Sequence, residues 1–125
     1  SRYVERGVVT YSNASKVELL GVDASAIEAH GAVSATVAEA MARGVRERAG
    51  VEVGIGITGI AGPDGGSEAK PVGTVFIAVS SSRGDDARLY RFSGTRTTIR
   101  ERAAQTALDL LRRHLVGLPL DATLA

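Results

Sequence analysis

Val51-Glu-Val-Gly-Ile-Gly-Ile-Thr58 (VEVGIGIT) and Val72-Gly-Thr-Val-Phe-Ile-Ala-Val-Ser80 (VGTVFIAVS) decide the fold. Both are short, nearly continuous apolar runs rich in β-branched residues, the pattern of strands covered on both faces. Gly54 and Gly56 inside the first run predict close approach by another element. The two runs flank a glycine-rich loop, Gly59 to Pro71 (GIAGPDGGSEAKP). After the second come a polar turn, Ser81 to Asp86 (SSRGDD), and an alternating stretch, Ala87 to Phe92 (ARLYRF). The alternation predicts a half-exposed strand near a sheet edge. Upstream, Arg6 to Tyr11 (RGVVTY), with Val8, Val9 and Thr10, reads as a further short strand.

Helices separate these runs. Ser12-Asn13 offers an N-cap, and Ala14 to Leu20 reads as a short helix ended by Gly21. Ala24 to His30 follows, closed by Gly31. Ser34 caps a longer helix whose apolar face carries Val37, Ala38, Met41, Ala42 and Val45, and Gly50 stops it. The last helix spans about Thr97 to Leu115. Ile99, Ala103, Ala107, Leu110, Leu111 and Leu115 form its expected buried stripe. Strands buried on both faces among amphipathic helices predict a three-layer α/β/α sandwich, one domain over residues 1–125. Four strands are few for such a sheet, so a further strand and helix are expected from upstream of Ser1.

Composition narrows the function. The chain has 125 residues, 44% hydrophobic and 23% charged, which fits one globular domain. A net charge of +1 and an aromatic content of 4% argue against direct nucleic-acid binding. No apolar run approaches the roughly 20 residues of a membrane helix, so no membrane partner is expected. Cysteine is absent, and His30 and His114 stand far apart, so neither a thiolate nucleophile nor a metal site is expected.

Three constellations remain. Thr58-Gly59-Ile60-Ala61-Gly62-Pro63-Asp64-Gly65-Gly66-Ser67 begins where a buried strand ends, and its thinly shielded amides suit an anion. A flexible connection between strands is the competing reading. Gly54 to Gly59 matches GxGxxG, but it lies within the strand and no helix follows, so it is not a dinucleotide fingerprint. The loop also lacks the GK[ST] ending of a P-loop. Tyr11-Ser12-Asn13-Ala14-Ser15-Lys16 places a lysine in the first turn of a helix, where the macrodipole disfavours positive charge. A neutral amine there would serve as a general base, with Tyr11 orienting it. On the residues alone, a capping segment with a solvated lysine is the simpler reading. Gly94-Thr95-Arg96-Thr97-Thr98-Ile99-Arg100 sets two arginines at a helix N-terminus, suited to phosphate or carboxylate, or else to simple capping by Thr95.

Taken in order, VVTYSNASKVELLGV, HGAVS, TGIAGPDGGSEAKPVGTV and FSGTRTTIR resemble the CinA C-terminal domain, the nicotinamide-nucleotide amidase family. The likeness runs from about Arg6 to Leu115, and the TGIAGPDGGS…KPVGTV block is highly specific. It implies hydrolysis of the carboxamide of nicotinamide mononucleotide to nicotinate mononucleotide and ammonia, in cytoplasmic pyridine nucleotide salvage and without a cofactor. The implied base is Lys16, with Tyr11 from the same motif. Thr58 opens the TGIAGP motif. Arg96 follows the FSG turn, with Arg100 one helical turn on. The loop residues Gly59, Gly62, Gly65, Gly66 and Ser67 are expected to hold the ribose phosphate together with Arg96. A homodimer is the expected assembly.

Two departures from the family pattern stand out. Thr95 occupies a position where the family usually carries Asp. The family's nucleophilic serine lies in an upstream ESxTGG motif that this sequence does not contain, and neither Ser12 nor Ser15 matches it. The first strand and helix of the family fold are expected upstream together with it. The alternative reading is a non-catalytic nucleotide-binding or dimerisation module of a competence/damage-inducible protein.

Overall fold

The structure, a computed structural model, describes residues 2–120. Its elements are α1 (Asn13–Leu20), α2 (Ala24–His30), α3 (Ala35–Ala49), β1 (Gly54–Gly59), β2 (Thr74–Ser81), β3 (Gly84–Arg91) and α4 (Arg96–Val116). The strands form one antiparallel sheet in the order β1-β2-β3. Side chains of β2 alternate between two cores, as the pleat requires. Val75, Ile77 and Val79 pack with Ile99, Ala103, Ala107 and Leu110 of α4. Ala78 meets Ala38 and Ala42 of α3 on the opposite face. Beyond α3, Leu20, Val22 and Ile27 from the α1–α2 region close over Val37 and Met41. Helices therefore cover both faces of the sheet, giving the expected three layers.

The helix signals in the sequence act as read. The Ser34 hydroxyl accepts from the Val37 amide at 3.2 Å, and the Thr95 hydroxyl from the Thr98 amide at 3.2 Å. Gly21, Gly50 and Gly117 end α1, α3 and α4 in the left-handed conformation that glycine adopts most readily. The glycines of β1 are spaces for a neighbour. A Cβ on Gly54 would lie 2.2 Å from the Ala42 carbonyl oxygen, and one on Gly56 would lie 2.3 Å from that of Ala38. These two bare positions let α3 lie against β1 backbone to backbone.

Five expectations are corrected. Arg6 to Tyr11 is not a strand; its residues are almost all exposed, because Val8 and Val9 have β propensity but no strand to pair with. Among the described residues the sheet has three strands, not four. β3 begins at Gly84 rather than Ala87, since Ser81 pairs directly with Gly84 and only two residues turn the chain. β1 is less covered than its composition suggests: its only partner is β2, and Ile57 is 39% exposed. The buried stripe of α4 ends at Leu110, and Leu115 is exposed, because the sheet does not extend beneath that side of the helix.

Filling one of the β1 spaces tests this packing. Gly56→Ala should destabilise the fold by about 1–3 kcal/mol, since the new methyl meets main-chain atoms that yield only if α3 moves. Urea unfolding of both proteins measures the difference; equal midpoints would contradict the close approach.

Candidate functional site

The antiparallel register gathers the site at one end of the sheet. Gly59 pairs with Val75, and Thr74 pairs with Arg91, so the end of β1, the start of β2 and the end of β3 lie together. The glycine-rich loop leaves from this end, and α4 starts just beyond β3. A cavity of about 600 Å³ opens here. Its lining includes Tyr11, Lys16, Thr58, Gly59, Arg96 and Arg100. The lysine motif, the first turn of the glycine loop and the arginine motif, scattered over 90 residues of sequence, therefore share one cavity.

Lys16 is the least ordinary of these residues. It is only 8% exposed, and burial holds its amine below the usual lysine pKa by disfavouring the charged form. No carboxylate lies within ion-pair distance of it among the described residues. Its Nζ donates to the Thr10 carbonyl at 3.3 Å. The backbone beneath it is firmly set. Ser12 and Ser15 form a reciprocal capping box, in which the Ser15 amide donates to Ser12 Oγ at 3.0 Å and the Ser12 amide to Ser15 Oγ at 3.3 Å. Lys16 follows directly in the first turn, where the helix macrodipole also disfavours a positive charge.

Thr58 is 6% exposed and donates from Oγ1 to the Ala32 carbonyl at 2.8 Å, fixing the end of β1 to the turn before α3. Arg96 donates from Nη1 to the Gly62 carbonyl at 2.9 Å, holding the loop against the start of α4. Arg100 is exposed on the next turn. Tyr11 is 86% exposed at the mouth, and the amine's hydrogen bond goes to Thr10 rather than to the phenol. Gly62, Gly65, Gly66 and Ser67 do not line this cavity. Gly62 acts through its carbonyl, and the Ser67 hydroxyl accepts from the Lys70 amide at 3.0 Å.

Sequence reasoning passed over several contributors. Asn13, Ala32 and Val33 line the cavity as well, and the Thr10 carbonyl supplies the contact to the amine. Asn13 stands inside the lysine motif and was open to notice. The others act through backbone brought in from elsewhere, which no local pattern records. Among the described residues no three His, Cys, Asp or Glu side chains converge as metal ligands would.

The arrangement is that of a family. The CinA C-terminal domain model matches residues 1–115. The chain belongs to the CinA C-terminal domain family. A CinA-like protein of Mycolicibacterium vanbaalenii is 56% identical over 118 residues, covering 94% of this chain and 28% of that protein. A CinA-like protein of Gemmatimonas aurantiaca is 58% identical over 115 residues, covering 90% of this chain and 26% of that protein. The chain thus spans less than a third of the curated relatives it matches. Among solved structures, the competence/damage inducible protein CihA of Agrobacterium tumefaciens superposes with a TM-score of 0.79 at 39% identity, over 82% of this chain and 64% of that one. The competence damage-inducible protein A of Klebsiella pneumoniae gives 0.83 at 34% identity, over 88% and 68%. No helix of the described residues is long and apolar enough to cross a membrane.

The Lys16 environment has a pH signature. A lysine pKa lowered on folding means that the unfolded chain binds more protons between the folded value and roughly 10.4. Its burial cost is therefore present below the folded value and is relieved as pH rises through that window. Lys16→Met, which keeps the packing and discards the charge, should be at least as stable as the parent at pH 7, with its advantage shrinking toward pH 10. Urea midpoints across that range check this, and an advantage that grows with pH would contradict it.

Proposed function

We propose that this CinA-family domain hydrolyses the carboxamide of nicotinamide mononucleotide, releasing ammonia and nicotinate mononucleotide. The observation that carries the reading is the charge of the cavity: Lys16, Arg96 and Arg100 line it, and no carboxylate does. Three cationic side chains without a counter-charge favour an anionic ligand, and a volume of about 600 Å³ lies within the range of small-ligand sites. The guanidinium of Arg96 spends one N–H on Gly62 and keeps others for a phosphate, with Arg100 beside it. Arginines and a depressed amine lining one cavity suit a molecule that carries both a phosphate and a reactive amide.

In this reading Lys16 is the general base. An amine held below its usual pKa supplies more of the neutral form that accepts a proton. The attacking hydroxyl is taken to be that of the family's serine, in the ESxTGG motif that this sequence does not contain, and the nearby serine and threonine side chains have structural roles instead. Ser12 and Ser15 cap one another, and Thr58 donates to Ala32. The serine oxygen bonds to the amide carbon while its proton passes to Lys16 Nζ. The tetrahedral intermediate then expels ammonia, which takes that proton from Lys16 as it leaves. Water attacks the resulting serine ester, again giving its proton to Lys16, and the acid departs as the serine is reprotonated.

The test is ammonia release from nicotinamide mononucleotide by the domain together with its upstream serine-bearing segment. Lys16→Ala should lower kcat by about 10²–10⁴-fold, the usual worth of a positioned acid–base group. Arg96→Ala and Arg100→Ala should act chiefly on KM. Full activity in Lys16→Ala would refute the base assignment. Tight nucleotide binding without turnover would favour the alternative of a non-catalytic binding module.

A further inference from the structure

Lys16 and Lys70 are the only lysines among the chain's 15 Lys and Arg residues. Neither is paired with a carboxylate among the described residues. Lys70 stands at the end of the glycine-rich loop and does not line the cavity. Its Nζ donates to the His30 carbonyl at 2.9 Å and to the Val33 carbonyl at 2.6 Å. Those carbonyls flank the turn between α2 and α3, and Ala32 and Val33 of the same turn form a wall of the cavity. The Ala32 carbonyl between them is taken by Thr58. Two carbonyls of this four-residue turn, and that of His30 just before it, are therefore held by side chains from β1 and from the loop. Lys70 is itself set by a local turn, in which the Ser67 amide donates to the Lys70 carbonyl at 2.9 Å and the Lys70 amide to Ser67 Oγ at 3.0 Å.

The loop is thus tied at two points. Arg96 holds Gly62 to α4 on one side of the sheet, and Lys70 holds the far end to the α2–α3 turn on the other. We propose that Lys70 is a positioning residue: its ammonium fixes the Ala32–Val33 wall against the glycine loop and so sets the width of the cavity that receives the anionic nucleotide. An ammonium suits the task because its N–H groups spread tetrahedrally toward two separate carbonyls, whereas a planar guanidinium presents its donors in a fixed fork. Lys70 Nζ also lies 3.2 Å from where a Cβ on Gly31 would stand, so the amine packs close against the backbone at residue 31.

This inference rests on the amidase reading for its kinetic arm only. The experiment compares the parent with Lys70→Met, and with Lys70→Cys before and after alkylation by 2-bromoethylamine, which rebuilds an ammonium at that position. The absence of native cysteine makes the alkylation specific. Two readouts are taken: hydrogen exchange at the Gly31 and Ser67 amides, and kcat and KM for nicotinamide mononucleotide with the serine-bearing segment present. Lys70→Met should speed exchange at both amides and raise KM about tenfold, as expected for losing hydrogen bonds to a charged group, with kcat and its alkaline limb unchanged. Alkylated Lys70→Cys should recover both. Parent-like exchange in Lys70→Met, a fall in kcat at constant KM, or no recovery after alkylation would overturn the proposal. Should Lys70→Met not fold, Lys70→Arg is read by the same two criteria, with a smaller rise in KM expected. If the parent itself neither binds nor hydrolyses the nucleotide, the amidase reading fails, and the exchange arm alone decides the role of Lys70.

Discussion

The arrangement depends on one unfavourable placement: the Lys16 amine is buried, with a single backbone carbonyl accepting from it, in a cavity that two arginines also line. Burying an ammonium without a counter-ion costs free energy that a solvated lysine avoids. The surrounding structure holds it there nonetheless. The Ser12–Ser15 capping box starts α1 at a fixed residue, and Leu20 and Val22 anchor its far end against Val37 and Met41. α3 in turn lies directly on Gly54 and Gly56 of β1. An unbroken line of packed backbone thus runs from the sheet to the lysine. Strain or unfavourable charge sustained by rigid surroundings is what functional sites commonly contain.

The glycine-rich loop serves this site less as a cradle of amides than as a strap. Its first residues line the cavity, while its middle and end act by attachment, through the Gly62 carbonyl to Arg96 and through Lys70 to the α2–α3 turn. Two of its glycines meet close neighbours: a Cβ on Gly62 would lie 2.6 Å from a Val72 methyl, and one on Gly66 2.8 Å from the Val72 amide nitrogen. Small residues are needed there so that the loop can fold flat over the sheet end.

The sequence made the layers, the helix limits and the three motifs legible, because each rests on local chemistry. Ser34, Thr95, Gly50 and Gly117 cap as their residue types dictate, and Gly54 and Gly56 announce a close neighbour whatever that neighbour is. What escaped were features set by distant partners. Arg6 to Tyr11 has the composition of a strand but lies without a pairing partner. Leu115 continues the apolar period of α4 past the point where the sheet supports it. Lys70 looks like one more loop lysine until His30 and Val33 are placed beside it. In the site, the motif residues Tyr11, Lys16, Thr58, Arg96 and Arg100 come to one cavity. The later glycines of the loop do not, since motif membership says nothing about which part of a loop faces a cavity.

The most direct measurement is the titration of Lys16 itself. With only two lysines in the chain, protein labelled with ¹⁵N at lysine Nζ and ¹³C at Cε gives a spectrum that the Lys16→Met variant assigns outright. Burial without a counter-ion predicts a Lys16 midpoint clearly below the roughly 10.4 of an unperturbed lysine. A midpoint at or above that value would mean an amine that is solvated or paired with an acid, and the buried base at the centre of this account would not exist.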